Sequence, residues 1–169
     1  MELVKKTIQM LRTKSEAANQ LTFDEDFNVP DNKPDISRMI QKKGEIKIEE
    51  VQVNEGKALI NGALHFRLLY VADTPRKQIC SMEGKLPVSE TLHLNGLKSG
   101  DKVCLKWEIE DLTLHVINSR KLNIKAIVGF QASVDEQMEV QFPTEVKEQP
   151  DLSEKKRNVR VLALSLIHI

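Results

Sequence analysis

The sequence predicts an all-β (mainly β) protein, an antiparallel sandwich or open barrel with one short helix near residues 34–42. Three observations lead to this prediction. From residue 45 onward apolar and polar residues alternate with a period of two, as in strands with one buried face. Groups of Asn, Gly, Asp and Ser interrupt the alternation at short intervals, as hairpin loops do. The composition, 40% hydrophobic and 30% charged, is typical of a folded globular domain.

Residues 1–20 are predicted to form an extended arm or an edge strand, because they mix short apolar pairs with charge. A helix over residues 12–20 is the alternative, since several good helix formers lie there, although no apolar stripe supports it. Residues 21–29 then alternate around an acidic step at 24–26, which predicts a strand with a bulge.

The short helix near residues 34–42 is predicted from its ends and its spacing. Pro34 suits the first position of a helix, and the carboxylate of Asp35 suits its positive N-terminal end. Gly44 is expected to stop the helix. The apolar residues that share one face at helical spacing are Ile36, Met39 and Ile40.

Five further stretches alternate with a period of two and are predicted to be strands joined by hairpin loops. They cover residues 45–53, 60–70, 80–94, 103–116 and 122–130. The alternation is cleanest over 103–109, where Trp107 falls on the apolar face. Because a lone tryptophan on such a face is more often buried than exposed, we expect Trp107 to lie in the core.

The domain limits follow from changes in composition. Residues 21–136 are predicted to form one β domain, and residues 137–156, which are polar and contain two prolines, to form a linker. Residues 157–163 look like the start of a second, truncated unit. Residues 164–169 resemble a translated sequencing adapter, so we interpret them as an artefact at the end of a gene fragment.

Charge and cysteine content exclude several classes of function. Lys plus Arg and Asp plus Glu both number 25, so no general attraction to nucleic acid or to anionic lipid is expected. Aromatic residues make up only 4%, too few for a base-stacking platform. Cys80 and Cys104 do not form a CxxC pair and suggest a reducing compartment. Neither a signal peptide nor a membrane span is predicted.

No catalytic, cofactor-binding or metal-binding residues are predicted. Enzymes bring ionisable groups together in a cleft, but His65, His93 and His115 stand at no metal-ligand spacing to either cysteine. The carboxylates at 24–26 alternate across a strand, so we expect a solvated acidic edge and not a calcium site. The sequence therefore favours a structural or binding module over an enzyme.

Several separated motifs resemble the SPOCS domain. They comprise residues 28–36 followed by 44–46, then 64–71, 107–111 and 118–122, and the likeness covers about residues 3–134. The resemblance implies a SipL-like spore-coat morphogenetic protein of endospore-forming clostridia and their relatives, without enzymatic activity. The family-signature residues are expected to be structural, at turn and core positions: Asn28, Pro30, Asp31, Pro34, Asp35, Gly44, Trp107, Asn118 and Arg120.

The resemblance also implies a place and a partner. Such proteins act in the mother-cell cytoplasm, at the forespore surface, and associate with the morphogenetic ATPase of the basement layer of the coat. They commonly carry a C-terminal LysM domain, which is missing from this sequence, and contact with peptidoglycan is expected only through that domain. A carbohydrate- or peptidoglycan-binding β module is the alternative function.

Overall fold

Every regular element of the structure is a strand. The computed structural model describes residues 2–147 and residue 157. Within these residues there is no helix, and therefore none long and apolar enough to cross a membrane. The strands are β1 (Glu2–Asn28), β2 (Ile36–Asn54), β3 (Lys57–Ala72), β4 (Ile79–His93), β5 (Val103–Asn118) and β6 (Lys121–Lys147).

The strands form two open, antiparallel, three-stranded sheets, which confirms the all-β prediction. One sheet has the order β1-β6-β5 and the other has the order β2-β3-β4. The second sheet is a meander of consecutive hairpins, whereas the first joins β1 to β6, the first and the last of the described strands. The central strand of each sheet, β6 in the first and β3 in the second, alternates between buried and less buried residues, as a strand with one core-facing side must.

The core is built mainly from the inward faces of β3 and β6, with further members on β4 and in the loop that follows it. No polar or charged residue in the described part of the chain is buried. Each large apolar side chain removed from water contributes about 1.5–3 kcal/mol, so this double row is the main source of stability. The most deeply buried members are Ile60, Leu64, Phe66, Leu68, Tyr70, Leu122, Ile124, Val128 and Phe130.

The described residues divide into two compact units, 15–134 and 2–14 with 135–147. The first unit contains the core. In the second unit the first part of β1 and the last part of β6 exchange side-chain contacts. Thr13 Oγ1 donates to Asp135 Oδ1 at 3.0 Å, and Gln9 Nε2 donates to Glu139 Oε1 at 3.3 Å.

The prediction of a helix near residues 34–42 is wrong, because these residues are the end of a loop and the beginning of β2. Two bulges interrupt the pairing of β2 with β3, at residues 36–38 and 39–41. A bulge inserts an extra residue and changes the spacing of inward-facing residues from two to three. Ile36 is therefore buried and Met39 half-buried, at a spacing that imitates a helix.

Gly44 lies inside β2 and does not end a helix. A Cβ atom at this position would lie 2.7 Å from Leu112 Cδ2 and 3.1 Å from Ile109 Cδ1, both on β5. The missing side chain therefore allows the edge strands of the two sheets to approach closely.

At the N-terminal end the structure has the edge strand that the sequence predicts, and at the C-terminal end β6 continues past the predicted domain limit. Residues 2–20 belong to β1, at the edge of its sheet, so the helix considered for residues 12–20 is absent. Residues 137–147 continue β6 where a polar linker was predicted. The rest of that linker (148–156), the predicted second unit apart from residue 157, and the predicted artefact (164–169) lie outside the described residues.

Candidate functional site

The signature residues converge at the hairpin turn between β5 and β6. In this turn Asn118 Oδ1 accepts a hydrogen bond from the backbone N–H of Arg120 at 2.9 Å. A side chain that bonds the backbone two residues later is an Asx-turn, which asparagine forms readily. The turn faces residues 29–35, the connection between β1 and β2.

The guanidinium of Arg120 binds this connection along its whole length. Its contacts within 3.4 Å form an arrangement that we call the Arg120 clasp. Arginine suits this role because its planar fork presents five donors in fixed directions. Nη1 donates to Lys33 O at 2.7 Å and Asp35 Oδ1 at 3.1 Å, and Nη2 donates to Val29 O at 3.1 Å, Pro30 O at 3.2 Å and Asp31 Oδ1 at 3.4 Å.

Backbone hydrogen bonds reinforce the clasp on both sides. The N–H of Val29 donates to Arg120 O and the N–H of Ile36 donates to Ser119 O, both at 2.8 Å. Ser119 Oγ donates to Asp35 Oδ2 at 2.9 Å. The connection is therefore fixed to the turn at both of its ends.

Tyr70 supports the clasp from the core. Its side chain is fully buried, and its hydroxyl donates to Pro34 O at 3.1 Å. Burial raises the pKa of the Tyr70 phenol above its ordinary value, and the nearby Cys80 and Asp35 add to this effect while Arg120 opposes it. The only tyrosine of the chain thus remains a neutral donor at physiological pH.

The clasp holds the backbone and offers no reactive centre. The described donors of Arg120 are directed at carbonyl and carboxylate oxygens of the same chain, which leaves little capacity for a ligand. Within residues 2–147 no group of three or more His, Cys, Asp or Glu side chains could hold a metal ion. The arrangement can therefore fix the connection between the two sheets.

The structure brings most, but not all, of the signature residues together. Asn28 ends β1 beside the clasp, whereas Gly44 and Trp107 lie outside it. Tyr70 was not predicted to belong to it. Its position on an apolar strand face was a usable signal, because a buried tyrosine hydroxyl needs a hydrogen-bond partner. Of the signature residues, Pro30, Asp31, Asp35 and Arg120 form the clasp itself, and two more adjoin it: Pro34 through Tyr70, and Asn118 through the backbone N–H of Arg120.

Trp107 is 43% exposed, so the prediction that it lies in the core is wrong. It stands opposite Phe130 of β6, which is buried, and therefore points to the same side of the sheet. Because β5 is the outermost strand of its sheet, its inward side chains have a neighbouring strand on one side only.

An open groove crosses the sheet β1-β6-β5, and its lining is mostly polar. Gln20 Nε2 of β1 donates to Glu110 Oε2 of β5 at 2.6 Å. Between them lies Gly129 of β6, where a Cβ atom would overlap the Glu110 carboxylate. The glycine therefore lets the outer strands exchange a hydrogen bond across the central one. The groove also contains Thr22, Lys106, Glu108 and Gln131.

The acidic step of β1 is paired with basic residues of β6. Lys125 Nζ lies 3.0 Å from Asp24 Oδ2, and Lys121 Nζ lies 2.7 Å from Asp26 Oδ2. Asn123 donates to both carboxylates. The amide of Asn123, and then Lys125, lower the pKa of Asp24, while Lys121, and then Asn123, lower the pKa of Asp26. Both carboxylates are exposed and their charge is compensated locally.

One comparison with known proteins gives a match. The family model described as SipL, SPOCS domain, matches residues 35–117. The match begins at Asp35, within the clasp, and ends in β5, so it contains the whole sheet β2-β3-β4 but not β1 or β6. It is shorter than the resemblance over residues 3–134. Neither a curated protein nor a solved structure matches the chain.

Proposed function

We propose, since this chain is a SPOCS-domain, SipL-like protein of a sporulation-related family, that it is an interaction module of a spore-coat morphogenetic protein and has no enzymatic activity. Its function in this proposal is to join other proteins during assembly of the endospore coat. The observation that carries the proposal is the family match over residues 35–117.

The geometry of the signature motifs supports a structural role. A catalytic site leaves polar groups directed at an open space where substrate binds. In the Arg120 clasp the guanidinium is directed at main-chain carbonyls and at the carboxylates of Asp31 and Asp35. Ser119 donates to Asp35, and Tyr70 donates to Pro34 O. The signature motifs therefore build a rigid support, and partners are left to the outer strand faces.

The proposed partner is the morphogenetic ATPase of the coat basement layer, and the proposed location is the mother-cell cytoplasm at the forespore surface. One suitable surface is the outer face of the sheet β2-β3-β4. Its register places Lys43, Arg67 and Glu83 in one cross-strand row, and Glu45, His65 and Lys85 in the next. Charged faces of mixed sign give specificity and fast association more than raw affinity, as reversible assembly steps require.

The proposal can be tested in sporulating cells of the organism that carries the gene. A fluorescent protein fused to the chain at its own locus should form a ring around the developing forespore when the coat assembles. Deletion of the gene should leave spores with a detached or incomplete coat in electron micrographs. Diffuse fluorescence throughout sporulation, together with a normal coat after deletion, would contradict the proposal.

The second candidate is a carbohydrate- or peptidoglycan-binding module, and the exposed Trp107 is the observation that favours it. Sugar-binding modules stack aromatic rings on pyranose faces in a shaped groove. The other aromatic residues of the same unit are buried or half-buried, including Phe66, Phe130 and Tyr70. One exposed ring is a poor platform, so we expect no sedimentation of the chain with purified peptidoglycan. Sedimentation that a Trp107→Ala variant loses would favour this candidate instead.

A further inference from the structure

Strand β5 is the outermost strand of the sheet β1-β6-β5, so no described strand is hydrogen-bonded to one side of its backbone, although Ile109 and Leu112 at its middle contact Gly44 of β2. Such an edge offers a row of N–H and C=O groups to an incoming strand. From the side chains of residues 105–109 we propose that two copies of this chain associate through β5. The strands are antiparallel and related by a two-fold axis at Trp107, and the two sheets join into one of six strands.

The register follows from the symmetry. With Trp107 opposite its own copy, Leu105 lies opposite Ile109 of the partner subunit, and Lys106 lies opposite Glu108 of the partner subunit. Each of these two pairs occurs twice, because a two-fold interface uses the same patch on both copies. Directly opposed Cβ atoms in antiparallel strands are about 4.5–5.5 Å apart, which is within contact range.

The charges of Lys106 and Glu108 favour this register over the two registers in which the two-fold axis is shifted by one position. Lys106 and Glu108 are exposed on the same face of β5, and neither has an ion-pair partner within residues 2–147. A two-fold axis at Lys106 would place two ammonium groups opposite each other, and an axis at Glu108 would do the same with two carboxylates. Only the axis at Trp107 between them opposes unlike charges throughout residues 105–109.

The apolar residues give the interface its core. Trp107 is 43% exposed, and Leu105 and Ile109 on the same face are half-buried. Two copies in this register place four aliphatic side chains around a pair of indole rings. Aromatic side chains that lose their contact with water in this way are typical interface anchors.

The edges of the other sheet are less suited to such pairing. β4 contains Pro87, which has no N–H to donate to a neighbouring strand. β2 carries three register shifts, which bend a strand and break its ladder of hydrogen bonds. The pairing of β5 with β6 is regular from Val103 to Ile109, the part of β5 that the proposed interface uses.

The test uses the whole 169-residue chain in analytical ultracentrifugation over a wide range of concentration. We expect a reversible monomer–dimer equilibrium. Because Trp107 is the only tryptophan, its emission should move to shorter wavelength as the dimer forms. A chain that stays monomeric up to millimolar concentration would overturn the proposal.

Charge reversal tests the register. In a Lys106→Glu variant the symmetry turns two attractive pairs into two repulsive ones, so the dissociation constant should rise about tenfold or more, which is about 1.4 kcal/mol. A Glu108→Lys variant should behave in the same way, and the double variant should recover the original affinity because unlike charges face each other again. The matched control is Lys85→Glu on β4, which should leave the dissociation constant unchanged.

The double variant separates the proposal from other dimers. Recovery in the double variant requires residues 106 and 108 to face each other across the interface. If each single variant weakens the dimer and the double variant weakens it further, the strands do not pair in this register and the proposal is wrong. If the single variants and the Lys85→Glu control behave alike, the interface is not at β5.

Discussion

Replacing Arg120 by alanine should destabilise the protein far more than the loss of an ordinary surface arginine. The side chain is 35% exposed, and three of its hydrogen bonds go to the main-chain carbonyls of Val29, Pro30 and Lys33. Hydrogen bonds that involve a charged group contribute about 1.5–3 kcal/mol when buried, and about 1 kcal/mol each is reasonable with this exposure. Asp31 is fully exposed, so its contact is not counted.

The expected loss in the free energy of unfolding is therefore about 3 kcal/mol, or a fall in Tm of roughly 6–12 °C for a chain of this size. Urea unfolding followed by far-ultraviolet circular dichroism measures it. Arg120→Lys should recover less than half of the loss, because an ammonium group cannot reproduce the planar fork of the guanidinium.

Arg67→Ala is the matched control. Arg67 pairs with Glu83 at the surface, and the two side chains are 66% and 65% exposed. Such pairs contribute about 0.5 kcal/mol or less. If the two alanine variants lose the same small amount of stability, the clasp does not hold the sheets together and the reasoning fails.

Three further results are expected. Gly62→Ala should lower the free energy of unfolding by about 2 kcal/mol in urea, because the new Cβ would overlap the carbonyl oxygen of Lys47. The folded-state pKa values of Asp24 and Asp26 are lowered, so their contribution to stability is present above the unfolded pKa and the urea midpoint should fall as the pH drops below about 4. The pKa of Tyr70 is raised, so absorbance titration of this single tyrosine should give a midpoint above about 10.

Each of these results has its own control. Gly100→Ala should be neutral, since nothing lies within 4 Å of a Cβ atom there. In a double variant, Asp24→Asn with Asp26→Asn, the urea midpoint should fall less as the pH drops below about 4. If the midpoint falls as steeply as in the original protein, other groups cause the loss of stability in acid. Tyr70 should titrate near its ordinary pKa in strong urea, and the same midpoint in folded protein would mean that its phenol is not buried.

The strands were predictable because their signal is local. Alternation with a period of two requires only neighbouring residues, and it located most of β3, β4 and β5, but only residues 45–53 of β2 and 122–130 of β6. The incorrect prediction of a helix near residues 34–42 shows the limit of reading structure from the spacing of apolar residues. Two closely spaced bulges put Ile36 and Met39 three residues apart on one face, and the sequence carries no mark that distinguishes this pattern from a helical turn.

The candidate site was predictable only as a set of residue types. Arg120, Asp35 and Asn118 were expected at structural positions, but Arg120 lies 85–91 residues from most of the groups it binds. Most of those groups are main-chain carbonyls, which every residue has, so no side-chain pattern encodes them. The exposure of Trp107 also escaped prediction, because the order of strands in a sheet decides which of them has an uncovered side.

The strand order also constrains how the chain can fold. β2, β3 and β4 are consecutive, so their sheet can grow from one hairpin to the next with short loops to close. The other sheet needs β1 to find β6 across more than half of the chain, and such distant pairings form slowly. We therefore expect the sheet β2-β3-β4 to form first. In this route β1 remains unpaired until β6 has left the ribosome, and the Arg120 clasp closes only after β5 and β6 have formed their hairpin.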